Sequence, residues 1–198
     1  MVVRRIKDKW HNSTPDDPDR HVLSEKSADD HASALAFIIW RQSLNTAINL
    51  HAEDFRYDSD QQRIAVISEL VAFQVQLVDR RCHQLFDQKE RTLLVTSLCQ
   101  RLADQMQDNL EDIAGPGGYR QPFIALLNNR FTEYAHFEFA EAQPGYDVLR
   151  FLARQVLDIM GEDQTNRWVM DQIIDLDAPA LVKQLSKSVN RLFGVDGA

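Results

Sequence analysis

Residues 63–86 read RIAVISELVAFQVQLVDRRCHQLF, and this stretch decides the fold. It contains no glycine or proline, and on a helix its apolar residues form two adjacent stripes. A helix with so wide an apolar surface contacts neighbours on several sides, so the sequence predicts a central helix over residues 63–86. The stripes consist of Ile64, Ile67, Val71, Val75, Val78, Cys82 and Leu85, and of Val66, Leu70, Phe73 and Leu77.

A narrow polar strip remains on this predicted helix. It holds Ala65, Glu69, Gln76, Arg80 and His83. The simplest interpretation is that the strip faces water. The alternative is a groove that receives a partner.

The composition indicates a globular protein of one domain. The chain has 198 residues, of which 44% are hydrophobic and 26% charged, and its net charge is −8. An acidic surface repels phosphate backbones, so we expect no nucleic-acid partner. Cys82 and Cys99 lie on predicted helices, outside any CxxC pattern, and are expected to be reduced. No cofactor is indicated.

The N-terminal residues differ from the rest of the chain. Turn-forming residues fill positions 13–19, so we predict a flexible tail over residues 1–26 and a helical domain over residues 27–198. Trp10, with Val3 and Ile6, would give the tail a basic and aromatic face that docks on a partner or a membrane surface. The alternative is a frayed terminus. No secretory signal or transmembrane run is evident, so a cytoplasmic location is expected.

The whole pattern is typical of an all-α protein, an irregular bundle of six to seven helices without a sheet. Ser27 with Asp30 resembles the capping box of the first helix, and Asp87 with Glu90 that of the third. The third helix is predicted to end at Gly115. A tight corner is predicted between the central helix and the third helix, and the alternative is that the two form one long, bent helix. The later helices are predicted over residues 121–142, 146–160, 163–176 with Trp168 and Leu176 inward, and 179–193.

The predicted fourth helix carries the candidate binding residues. Its aromatic face, from Phe123 to Phe137, also holds Glu138 and Glu141, with Arg130 at the edge. Carboxylates on such a face either form a polar site in a helical cavity or extend past the core into solvent. The candidate binding residues are therefore Arg130, Tyr134, Glu138, Glu141 and, in the tail, Trp10.

Four residues form a candidate metal site. Glu133 and His136 make one Glu-x-x-His pair, whereas di-iron bundles converge two such pairs with two further glutamates. Asp79 and His83, four residues apart on the central helix, would complete the site if the helices abut. The alternative is that all four are solvated on polar faces.

Three functions remain open from the sequence. The first is an interaction or regulatory protein that binds a protein partner or itself and performs no chemistry. The second is a helical bundle with a cavity for a small hydrophobic ligand. The third is a metal-dependent enzyme that uses the carboxylates and histidines of the candidate site.

Overall fold

The computed structural model of the protein describes residues 25–140 and 142–195, so the predicted tail up to residue 24, including Trp10, and Glu141 lie outside the described residues. The described chain is all-α except for one short hairpin. The helices are α1 (Glu25–Ala52), α2 (Asp60–Leu85), α3 (Gln88–Ala114), α4 (Arg120–Tyr134), α5 (Tyr146–Met160), α6 (Val169–Gln172) and α7 (Ala178–Phe193).

The predicted central helix is confirmed. Helix α2 contacts α1, α3, α4, α5 and α7, and its residues are buried without interruption from Val66 to Asp79. Val71, on the first apolar stripe, is fully buried. The bundle is therefore built around α2.

The predicted ends of α2 and α3 hold to within a few residues. The hydroxyl of Ser59 accepts a hydrogen bond from the backbone N–H of Gln62, and Phe86 is extended at φ −128°. Asp87 and Glu90 form the predicted capping box, with bonds of 2.9 and 3.1 Å. The corner after α2 therefore separates two helices and is not a bend in one.

The start of α1 differs from the prediction. The helix begins at Glu25, so Ser27 lies within its first turn and is not the N-cap. The capping pattern of Ser27 with Asp30 therefore does not mark the beginning of this helix.

The predicted fourth helix over residues 121–142 is wrong at its C-terminal end. Helix α4 stops at Tyr134, and β1 (Phe139–Ala140) pairs antiparallel with β2 (Gln143–Pro144), so the prediction of no sheet is also wrong. Leaving the helix lets the ring of Phe137 pack 5.3 Å from that of Phe151 on α5. This tertiary packing overrides the local helical preference.

The C-terminal region also departs from the predicted pattern. Helix α6 lies between a 3₁₀ turn (Gln164–Trp168) and a π turn (Ile173–Asp177), which leads directly into α7. Trp168 and Leu176, predicted to face inward, are 56% and 59% exposed. Val169 and Ile173, predicted in the same apolar set, are fully buried, so the 3.6-residue period places these two correctly. The 3₁₀ and π turns change the number of residues per turn, which accounts for the exposure of the other two.

Candidate functional site

The polar strip of α2 does not face water as predicted. Glu69 and Gln76 are only 3% and 2% exposed, and Arg80 is half-buried. Of the strip's charged and polar members, His83 alone is exposed. Helices α4 and α5, which pack against this side of α2, cover the strip.

Arg130 of α4 neutralises the buried carboxylate of Glu69. Its Nε and Nη2 donate to the two carboxylate oxygens of Glu69 at 2.6 and 2.7 Å, and Nη2 also donates to Gln155 of α5 at 2.7 Å. Nη1 donates to Glu133 on the next turn of α4. The hydrogen bonds to Glu69 raise the pKa of Arg130 above its ordinary value, so the guanidinium stays protonated.

A second ion pair joins α2 to α3. Nε and Nη2 of Arg91 donate to the carboxylate of Asp79 at 2.7 and 2.6 Å, and the hydrogen bond raises the pKa of Arg91. Nη1 of Arg91 lies 3.4 Å from Nδ1 of His83. Both carboxylate oxygens of Asp79 therefore accept hydrogen bonds from the Arg91 guanidinium.

The structure does not bring the four predicted metal ligands together. Asp79 pairs with Arg91 and Glu133 pairs with Arg130, each with its carboxylate engaged by a guanidinium. His83 and His136 are exposed and line a groove elsewhere. Within residues 25–140 and 142–195, no three side chains of His, Cys, Asp or Glu are close enough to share an ion.

Neither cysteine has the lowered thiol pKa that is typical of a nucleophilic cysteine. Burial raises the pKa of both Cys82 and Cys99 to about 12, so both thiols stay protonated at neutral pH. Both are free, as the sequence predicts.

A wide concave surface lies where the C-terminal end of α2 meets the hairpin and the start of α5. We call it the hairpin groove, and its volume is about 920 Å³. It is open to solvent and combines aromatic, cationic and acidic side chains. It is lined by Arg80, His83, Gln84, His136, Phe137, Glu138, Phe139, Ala140, Ala142, Gly145, Tyr146 and Asp147.

Arg80 is the most unusual group in the hairpin groove. Its guanidinium carbon lies 4.8 Å from the centre of the Phe139 ring, and its Nη2 reaches the carbonyl of Tyr134 at 3.4 Å. Its Nε is buried and has no hydrogen-bond partner in the described chain. No carboxylate of the described residues pairs with Arg80, although it is half-buried.

The predicted binding residues separate into two places. Arg130 and Tyr134 lie in the interior, where the Tyr134 ring packs 5.0 Å from that of Phe151 and its hydroxyl has no hydrogen-bond partner among the described residues. Burial, followed by the charge of Glu69, raises the pKa of Tyr134. Glu138 lies in the hairpin groove, but on the chain after α4 and not on its aromatic face.

Sequence reasoning missed Phe139 and Tyr146 as groove residues, and it left two interpretations open for the strip that holds Arg80, a face in water or a groove that receives a partner. Their assembly depends on the hairpin, which the helical pattern does not predict. One usable signal is Pro144-Gly145, which ends any helix and precedes a new N-terminus at Tyr146. Tyr146 itself is 64% exposed at the start of α5.

A smaller pocket of about 400 Å³ lies between α3 and α4. Its walls include Val95, Ile124 and Phe131, and the Asp79–Arg91 pair lies on it as well. Polar side chains of α3 and α4, among them the charged Arg120, complete its lining together with Cys99, so the pocket is only partly apolar.

No protein-family model, no curated protein and no solved structure matches the chain. No helix among the described residues has both the length and the apolar character needed to cross a membrane.

Proposed function

We propose that the protein works by binding a partner protein in the hairpin groove and performs no chemistry of its own. The observation that carries the proposal is an open groove that holds a half-buried arginine with no carboxylate partner among residues 25–140 and 142–195. Its volume of about 920 Å³ is large enough for a short peptide segment. We propose the cytoplasm as its setting, since neither cysteine is bridged.

The residue types of the groove support a protein ligand. Arginine, tyrosine and phenylalanine are enriched where protein interfaces carry most of their binding free energy. Tyr146 offers a large exposed ring, while Phe139 and Arg80 stack beside it in the same groove. The C-terminal end of α2 forms one wall of the groove and follows directly on the buried segment of that helix, Val66–Asp79.

Selection from a displayed library of random short peptides tests the proposal. We expect enriched peptides that bind the full chain, shift the amide resonances of groove residues and bind at least about tenfold more weakly to Tyr146→Ala. Tyr119→Ala is the matched control, because Tyr119 lies before α4 and outside the groove lining. Absence of enrichment, or peptides that bind Tyr146→Ala as tightly as the wild type, would overturn the proposal.

The pocket between α3 and α4 supports a second candidate, the binding of a small partly apolar molecule. Its volume of about 400 Å³ lies in the range of small-molecule sites. A screen of apolar fragments by NMR should shift the methyl groups of Val95 and Ile124, and Ile124→Trp should block those shifts. Fragments that leave both methyl groups unmoved would exclude this use of the pocket.

A further inference from the structure

We propose that Arg80 binds one carboxylate of the partner, on an aspartate or glutamate side chain within the segment that occupies the hairpin groove. This inference rests on the proposed function of the groove and adds the chemistry of its ligand.

The partners of the other half-buried arginines make Arg80 unusual. In the described chain, each of the others makes at least one hydrogen bond of 2.9 Å or less to a carboxylate or an amide oxygen. For Arg80 the closest acceptor is the Tyr134 carbonyl at 3.4 Å, and its buried Nε has none. A guanidinium has five N–H donors, and leaving them unpaired away from water is costly.

The orientation of Arg80 suits a planar acid. The guanidinium carbon lies 4.8 Å from the centre of the Phe139 ring, Nε is buried, and Nη2 makes only a long bond to the Tyr134 carbonyl, so Nη1 and Nη2 are the donors left for a ligand. A carboxylate that approaches in this plane accepts two parallel hydrogen bonds, which is the strongest arrangement for this pair. The acceptor that Arg80 lacks among the described residues is thus the one that an acidic side chain brings.

Other groove residues restrict the ligand to one acidic position. His83 and His136 line the groove and can donate hydrogen bonds to the same carboxylate. Glu138 and Asp147 are exposed in the groove and repel a second negative charge. The groove is also much larger than one carboxylate, so we expect the segment to continue on both sides of the acidic residue.

The test uses the groove-binding peptides from the library, synthesised in pairs that differ only by Glu→Gln or Asp→Asn at each acidic position. At one position we expect the amide form to bind the wild type at least about tenfold more weakly. Arg80→Gln should remove that difference, because the acid and the amide forms then bind alike. The ¹⁵N-bound proton of Arg80 Nε should shift with the acidic peptide and not with its amide.

Controls separate the possible failures. Arg81→Gln is the matched variant, since Arg81 is next in the same helix but donates to Gln84 and Asn190, and it should leave the difference intact. Arg80→Lys keeps the positive charge but loses the planar pair of donors, so the affinity difference between the acid and amide peptides should be intermediate. This variant keeps the test valid if Arg80→Gln does not fold. Free and amidated C-termini should bind alike, and a requirement for the free terminus would overturn the proposal.

Failure of this inference differs from failure of the proposed function. Groove-binding peptides that are indifferent both to Glu→Gln and to Arg80→Gln would overturn the carboxylate and leave the groove as a partner site. A library that yields no groove binder would overturn the partner site and the carboxylate together.

Discussion

Arg80 belongs to α2 and Arg130 of α4 packs against α2, yet the surroundings of the two guanidinium groups are opposite. Arg130 donates to Glu69, Glu133 and Gln155, which come from three different helices. Arg80 has one long bond to a carbonyl and an aromatic ring beneath it. All three nitrogens of the Arg130 guanidinium donate hydrogen bonds inside the bundle. The Arg80 guanidinium lies in an open groove and has donors without an acceptor among the described residues.

This difference separates structural groups from binding groups. Unpaired buried charges cost several kcal/mol, so a fold keeps them only where they are compensated or used. The network of Arg130 needs nothing from outside the molecule. Arg80 is therefore the better candidate for contact with a ligand, and the predictions below compare paired with unpaired polar groups.

Glu69→Ala should cause the largest loss. It leaves Arg130 in the interior without its bidentate partner, which costs about 3–5 kcal/mol when a buried pair is broken. Chemical denaturation of the variant and the wild type measures the change in the free energy of unfolding. The matched control is Asp158→Ala, because Asp158 pairs with Arg154 at the exposed surface and should contribute at most about 0.5 kcal/mol. Equal effects of the two variants would show that the buried network does not stabilise the fold.

Asp79→Ala should have a smaller effect, about 1–3 kcal/mol. Asp79 is buried, but the Arg91 side chain is 23% exposed and can return to water when the carboxylate is removed. The same denaturation experiment measures this loss. A loss as large as that of Glu69→Ala would mean that α3 cannot relax around Arg91.

The sequence predicts the centre of the fold well and its polar chemistry poorly. The two apolar stripes of α2 and the capping box at Asp87 act locally, so they place α2 and α3 to within a few residues. The polar strip was misplaced because Glu69 is covered by α4, whose contribution through Arg130 comes from 61 positions away. Period alone cannot distinguish a solvated glutamate from one paired across the core.

The candidate site was predicted only in part for the same reason. Glu138, His83 and His136 were candidate site residues in the sequence, and all three line the hairpin groove. The reasons for choosing them were wrong, because Glu138 does not lie on a helical face and the two histidines do not share a metal site among the described residues. The groove exists because α4 ends at Tyr134 and the chain turns into a hairpin. That turn is stabilised by the packing of Phe137 on Phe151, a contact between distant positions that no local pattern encodes.

Asp177 is a half-buried carboxylate that should make stability depend on pH. Asp177 ends the π turn, and its Oδ2 has no hydrogen-bond partner in the described chain. Burial raises the pKa of Asp177 from 3.8 to about 6. A hydrogen bond with Gln172 opposes this rise, and the negative charge of Glu53 adds to it. The folded protein therefore holds this proton more tightly than the unfolded chain. Its contribution to stability is present below about pH 4, falls as the pH rises to about 6 and is constant above that.

Asp177→Asn removes this dependence. The difference in melting temperature between the variant and the wild type should increase in favour of the variant from about pH 4 to about pH 6 and then stay level. Comparing the two proteins at each pH cancels every other titrating group. A difference that does not change with pH would show that Asp177 has an ordinary pKa.

Tyr134→Phe should give the smallest effect and the opposite sign to the ion-pair variants. The ring of Tyr134 is fully buried among aromatic neighbours, and its hydroxyl finds no acceptor or donor among the described residues. Removing the hydroxyl keeps the packing and ends the cost of burying an unpaired polar group, so stability should rise by about 1 kcal/mol. Tyr57→Phe is the matched control, because the Tyr57 hydroxyl donates to the carbonyl of Ala47 at 3.0 Å and its loss should cost about 1 kcal/mol. Thermal denaturation of both variants measures the two signs, and a loss in both would show that the Tyr134 hydroxyl is bonded in solution.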